Sequence, residues 1–111
     1  MKYMLLIYED DAERVEKMDE RMPNCSAYAQ AMMKAGIYVC GDRLRGATTA
    51  TSVRVAGGKT HVVDGPYAES KEHLAGFFLV DCATRERAEE VAAQFAGPGS
   101  IAELRPAYVW E

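Results

Sequence analysis

Two stretches of this chain would be apolar on both faces if extended, and no other feature restricts the fold as much. In KYMLLIY, Met4, Leu6 and Tyr8 alternate with Tyr3, Leu5 and Ile7. In the run from His73 to Asp81, Leu74, Phe78 and Val80 alternate with Ala75, Phe77 and Leu79. Strands of this kind need cover on both sides of their sheet. With 111 residues, 49% of them apolar, the chain is expected to form one domain, 1–111. A domain of that size buries roughly two-thirds of its unfolded surface.

The rest of the chain supplies cover for one side. Asp10 and Glu13 have the spacing of a capping box for a first helical piece carrying Val15, Met18 and Met22. Pro23 opens a second piece with the stripe Tyr28, Met32 and Ala35, and Gly36 is placed to end it. Ile37 to Cys40 reads as a strand running into Gly41-Asp42-Arg43-Leu44. TSVRVA and KTHVVD, joined by Gly57-Gly58, form a β-hairpin signal. After the strand at 73–81, Thr84 caps a helix whose apolar face is Ala88, Val91, Ala92 and Phe95, stopped by Gly97-Pro98. The segment from Ile101 to Trp110 closes the chain, with Pro106 favouring an edge or a bulge.

The order is strand, helix, strand, inserted hairpin, strand, helix, strand. This predicts an α+β, ferredoxin-like layout with both helices on one side of the sheet. The other side is left for a second copy of the chain, the simplest cover for an apolar sheet.

Charge and cysteine usage narrow the function classes. A net charge of −4 argues against a nucleic-acid binder, which needs a basic surface. The apolar N-terminal run stops at Glu9-Asp10-Asp11, too short for a signal peptide, and no stretch has membrane-spanning length. The three cysteines Cys25, Cys40 and Cys82 are odd in number and widely spaced, which fits reduced thiols in the cytoplasm. Residues 43–63 carry Arg43, Arg45, Arg54 and Lys59 and no acid. That stretch is either a solvated hairpin face or a positive rim that steers a small anion.

Asp64-Gly65-Pro66 reads as a rigid turn. Pro66 has no amide hydrogen to give, so Asp64 caps Tyr67 or Ala68, binds another segment, or is left for a ligand. In an extended segment Glu69, Lys71 and His73 point to one side. His73 is then the candidate general base, oriented by Glu69 or Asp64, with Lys71 holding an anionic oxygen. The alternative is a polar rim whose ion pairs contribute little. A cleft lined from the first helix and this segment would take Tyr28, Asp42, Tyr67, Glu69 and Lys71 as ligand-binding residues, with Asp64 and His73 as catalytic candidates. His61 reads as a satisfied sheet residue. No phosphate-binding loop, dinucleotide fingerprint, HExxH, CxxC or Gly-x-Ser-x-Gly occurs, and two histidines make no metal site, so no cofactor is expected.

The stretch VDGPYAESKEHLAGFFLVD, residues 63–81, resembles the DGPF family of YCII-related proteins, whose wording there is close to DGPF/Y-A-E/D-T/S-K-E-x-L-x-G-F/Y-F/Y. The opening MKYMLLIY, the segment AGIYVCGDRL, the strand TSVRV and the closing ELRPAYVW extend the resemblance. It implies a small protein forming a dimeric α/β barrel, and a link to extracytoplasmic-function sigma factors, beside which such proteins are often encoded. Asp42 matches in position the polar residue of that family's G-G/E-x-L segment. Two departures matter. His73 stands where Gln or another polar residue is usual, and residues 11–35 lack the His that pairs with an Asp in the wider YCII-related group. Two readings follow: a cytoplasmic homodimer that binds a small molecule or serves as an accessory protein, or an isomerase-like or hydrolytic enzyme acting on a small organic acid.

Overall fold

The computed structural model describes residues 1–10, 27–67, 72–96 and 100–108. The main sheet contains β1 (Lys2–Asp10), β2 (Tyr38–Arg43), β5 (Glu72–Asp81) and β6 (Ser100–Pro106). Its order is β2-β5-β1-β6, with every neighbouring pair antiparallel. Helical residues 27–34 (α1) and Arg85–Ala93 (α2) complete an α+β arrangement compatible with a ferredoxin-like fold. β3 (Thr51–Ala56) and β4 (Lys59–Asp64) form a separate two-stranded sheet, the inserted hairpin. The capping box and the pieces carrying Val15, Met18 and Met22 lie outside the described residues, as do Gly97-Pro98 and 109–111.

Helix ends follow their local chemistry. Gly36 adopts φ +77° after α1, its amide donates to Met33 O (3.1 Å), and the Ile37 amide donates to Met32 O (3.1 Å). These two bonds are the Schellman pattern, which satisfies carbonyls the helix end would otherwise leave open. They also consume Ile37, so β2 starts one residue later than the sequence predicts. At the start of α2 the Thr84 hydroxyl accepts from the Arg87 amide at 3.2 Å. An N-cap of this kind contributes about 1 kcal/mol.

The core lies between the helices and one sheet face. Tyr3, Leu5 and Val80 pack with Met32 of α1 and Ala88, Val91 and Ala92 of α2. Leu5 and Val80 are wholly buried, each worth about 1.5–3 kcal/mol of apolar burial. Phe78, opposite Leu5, stacks on Phe95 at 4.9 Å, and Tyr28 meets Phe95 edge-on at 5.2 Å. Met4, Leu6, Tyr8, Phe77 and Leu79 line the opposite face, where they are half-buried.

One face assignment from simple alternation is corrected. The β1–β5 register shifts between Ile7 and Tyr8, so that Ile7 faces Gly76 while Tyr8 faces Leu74. The bulge transfers Leu74 from the side of Phe78 and Val80 to the open side with Tyr8. Gly76 and Gly41 sit where β2 and β5 leave no room for a Cβ. A Cβ on Gly41 would lie 2.6 Å from Phe78 Cδ1 and 2.7 Å from the Phe77 carbonyl oxygen.

Candidate functional site

The DGPY turn forms the base of the hairpin and is anchored from the neighbouring strand. The Gly65 amide donates to Ala50 O at 2.8 Å, and the Ser52 hydroxyl donates to Gly65 O at 2.8 Å. Gly65 has φ +108°, and no cis peptide bond occurs among the described residues. Before Pro66, Gly65 thus takes a positive φ that glycine adopts without steric cost. Asp64 pairs in register with Thr51 and is exposed. Ser52 and Ala50, rather than a cap from Asp64, hold the turn among the described residues.

Two hollows meet at Pro66. The smaller, of ≈ 360 Å³, lies between the hairpin base and the start of β5 and is lined by Leu44, Arg45, Thr49, Pro66, His73 and Leu74. Its wall at Gly46–Thr49 is a single 3-10 turn fixed by Thr49, whose amide (2.9 Å) and hydroxyl (2.7 Å) both donate to Gly46 O. The larger, of ≈ 710 Å³, lies against the hairpin and is lined by Ser52, Arg54, His61, Val63, Pro66 and Tyr67.

The predicted site residues divide into three groups. His73 and Tyr67 line the two hollows, with Asp64 beside them on the strand that leads into the turn. Asp42 and Tyr28 are not brought to the turn. Asp42 is exposed opposite Phe77 on the open sheet face, and Tyr28 stacks on Phe95 on the helix side. Glu69 and Lys71 lie outside the described residues.

Three further residues join the site through tertiary pairing. Glu9 stands directly opposite His73 across β1 and β5, in the position where antiparallel partners bring their Cβ atoms within about 5 Å. Arg45 shares the smaller hollow with His73. Arg54 is directly opposite His61, and both line the larger one. His61 is therefore exposed beside a guanidinium, in place of the satisfied sheet position expected. The acid-free stretch 43–63 was the sequence signal for the two arginines. Glu9 had none, since its partner is fixed only by sheet register.

Each hollow thus sets one guanidinium and one imidazole against apolar walls, Leu44, Leu74 and Pro66 in the smaller and Val63 and Pro66 in the larger. Such a lining suits an organic anion, whose carboxylate meets Arg and whose body meets the apolar wall. Among the described residues no group of three or more His, Cys, Asp or Glu is placed to hold a metal ion. No helix among them is long and apolar enough to cross a membrane.

The pattern of the YCII-related domain matches residues 1–106. The chain belongs to the YCII-related family. It is also 37% identical, over 113 aligned positions, to an uncharacterized protein of Rhizobium meliloti (strain 1021), covering 96% of this chain and 91% of that protein. The YCII-related match spans the described helices, the hairpin and all four strands of the main sheet.

Proposed function

We propose that this YCII-related protein, of the DGPF type, is a cytoplasmic homodimer that binds a small organic anion at the base of its hairpin and serves as a binding or accessory protein. The observation that carries this reading is the hollow in which Arg45 and His73 face Leu44, Leu74 and Pro66. Lys71, Glu69 and Tyr67 belong to the same segment and would complete the rim. The homodimer is supported by the open sheet face, whose Met4, Leu6, Tyr8, Phe77 and Leu79 are the natural lining of a barrel formed by two sheets. A link to sigma-factor regulation rests on the wording of residues 64–78, and its role would be to report the bound acid.

A second reading is favoured by one observation. Glu9 opposite His73 supplies the carboxylate that a general-base imidazole needs for orientation, a role Asp64 fills less well from its exposed place on the hairpin. That arrangement would serve isomerase-like or hydrolytic chemistry on a small acid or lactone.

A thermal-shift screen of small carboxylic acids and lactones, followed by calorimetric titration of the best binder, tests both readings. Arg45→Ala is expected to weaken binding about tenfold or more, the worth of one charge-assisted hydrogen bond, with an unchanged Tm because Arg45 is exposed. Lys71→Ala should weaken it less, and more so at low salt than at moderate salt. Turnover of a bound lactone that is lost in His73→Gln would favour the enzyme. Absence of binding across the screen would defeat the anion-binding reading.

A further inference from the structure

The two strands of the hairpin set a basic face against the larger hollow. Ser52 pairs with Val63, Arg54 with His61 and Ala56 with Lys59, so these six residues share one face. Asp64 pairs with Thr51 and belongs to the other. The face that borders the hollow therefore holds three basic side chains and no acid. Among the described residues, Arg54 and His61 make no ion pair and no side-chain hydrogen bond. Direct partners in an antiparallel pair hold their Cβ atoms about 5 Å apart, so this guanidinium and imidazole can share one acceptor set between them.

The hollow has an aromatic wall as well. Pro66 and Tyr67 line it just beyond the turn that Ala50 and Ser52 anchor. Tyr67 is 84% exposed, and among the described residues its ring stacks on no other. A ring presented beside a proline at the edge of a cavity offers a flat apolar surface on which another ring can stack.

We propose that the larger hollow is a second ligand site, distinct from that of Arg45 and His73, and that it takes an aromatic carboxylate. The carboxylate lies between Arg54 and His61, and the ring lies against Pro66 and Tyr67. Arg54 selects a carboxylate through the two parallel N–H donors of its planar fork. The Ser52 hydroxyl is already committed to Gly65 O at 2.8 Å and gives the ligand no hydrogen, so Arg54 and His61 carry the recognition. Val63 adds apolar wall for the body of the ligand. The volume of ≈ 710 Å³ lies inside the range of small-molecule sites, roughly 300–1,000 Å³. This site goes beyond the small-acid hollow at the hairpin base and does not depend on it.

The test is calorimetric titration of the whole chain with 2-naphthoate, with 2-naphthamide as its uncharged counterpart and adamantane-1-carboxylate as a saturated acid. Wild type is expected to bind 2-naphthoate about tenfold or more tightly than the amide, the worth of a charge-assisted hydrogen bond. Arg54→Ala should lose that factor. Tyr67→Leu should weaken 2-naphthoate about three- to tenfold and leave adamantane-1-carboxylate unchanged, because only the aromatic ligand stacks. Both residues are exposed, so the Tm of each variant should match wild type. Arg45→Ala, in the other hollow, should bind 2-naphthoate as wild type does.

A second measurement does not depend on a variant. On addition of 2-naphthoate, the amide resonances of Arg54, His61 and Tyr67 should shift while those of Leu44 and Leu74 stay in place. Absence of 2-naphthoate binding, equal affinity for the acid and the amide, or wild-type affinity in Arg54→Ala overturns the site. Binding that is lost in Arg45→Ala and kept in Arg54→Ala overturns it too, while supporting the smaller hollow as the anion site.

Discussion

Gly65 makes the strongest backbone demand in the DGPY turn. Its φ of +108° is strained for any L side chain, although a Cβ there would meet nothing within 4 Å. The cost of Gly65→Ala is therefore conformational, about 1–3 kcal/mol, and Gly65→Val should cost more. Asp64→Asn, at an exposed strand position that keeps its backbone pairing, should lie within about 0.5 kcal/mol of wild type. Urea midpoints of the three variants check the order. An Asp64→Asn protein as unstable as Gly65→Ala would mean that the charge holds the turn, and would remove Asp64 from the functional candidates.

Cys82 gives the residue scale a pH signature. Burial pushes its thiol above the ordinary value of 9.0, with nearby Arg87 pulling the other way and Asp81 adding to the rise. Between the unfolded and the folded value the unfolded chain has lost this proton while the folded chain keeps it. Stability from this group is complete below about pH 9 and falls as pH rises through that window. Cys82→Ala should show a shallower loss of stability on going from pH 8 to pH 10 than wild type. Thiol titration of the folded protein should label exposed Cys40 long before Cys82.

At the scale of elements, the base of the hairpin is closed by Ser52. Its hydroxyl ties β3 to the carbonyl of Gly65 at 2.8 Å, across the point where the two hollows join. Ser52→Ala should cost about 0.5–1.5 kcal/mol in global stability and raise amide exchange in the hairpin by more than in β1 or β5. Equal protection in both parts would show that the hairpin is held elsewhere. The β5 bulge acts on the same region. By turning Leu74 toward Tyr8 it changes the floor of the smaller hollow, and it lets His73 fall opposite Glu9.

For the whole molecule, the open sheet face is the surface on which the proposed homodimer would close. Burying two copies of an apolar surface gains roughly 25 cal/mol per Å², and a stable interface buries about 800 Å² per partner. Leu6→Lys, at a half-buried position paired with Phe77, sets a charge in the middle of that surface. It should leave the helix-side core intact and, if the proposed homodimer closes through this face, yield a folded monomer by light scattering where wild type gives a dimer. A variant that stays dimeric would place the interface away from the sheet.

Much of this was legible in local sequence because the physics concerned is local. Gly36 ends α1, Thr84 starts α2, and Gly57 and Gly58 turn the hairpin at φ +59° and +77°, each through bonds within a few residues. The double-faced apolar runs announced central strands, and β1 and β5 are the two inner strands of the sheet. Tertiary structure decided what depends on register and side. It set Glu9 against His73 and Arg54 against His61, turned Leu74 to the open face, and parted Tyr28 from Asp42 by the thickness of the sheet. A period-two pattern fixes which residues share a face, yet a single bulge inverts that face beyond it. The partner across the ladder is chosen by long-range pairing that no local spacing records.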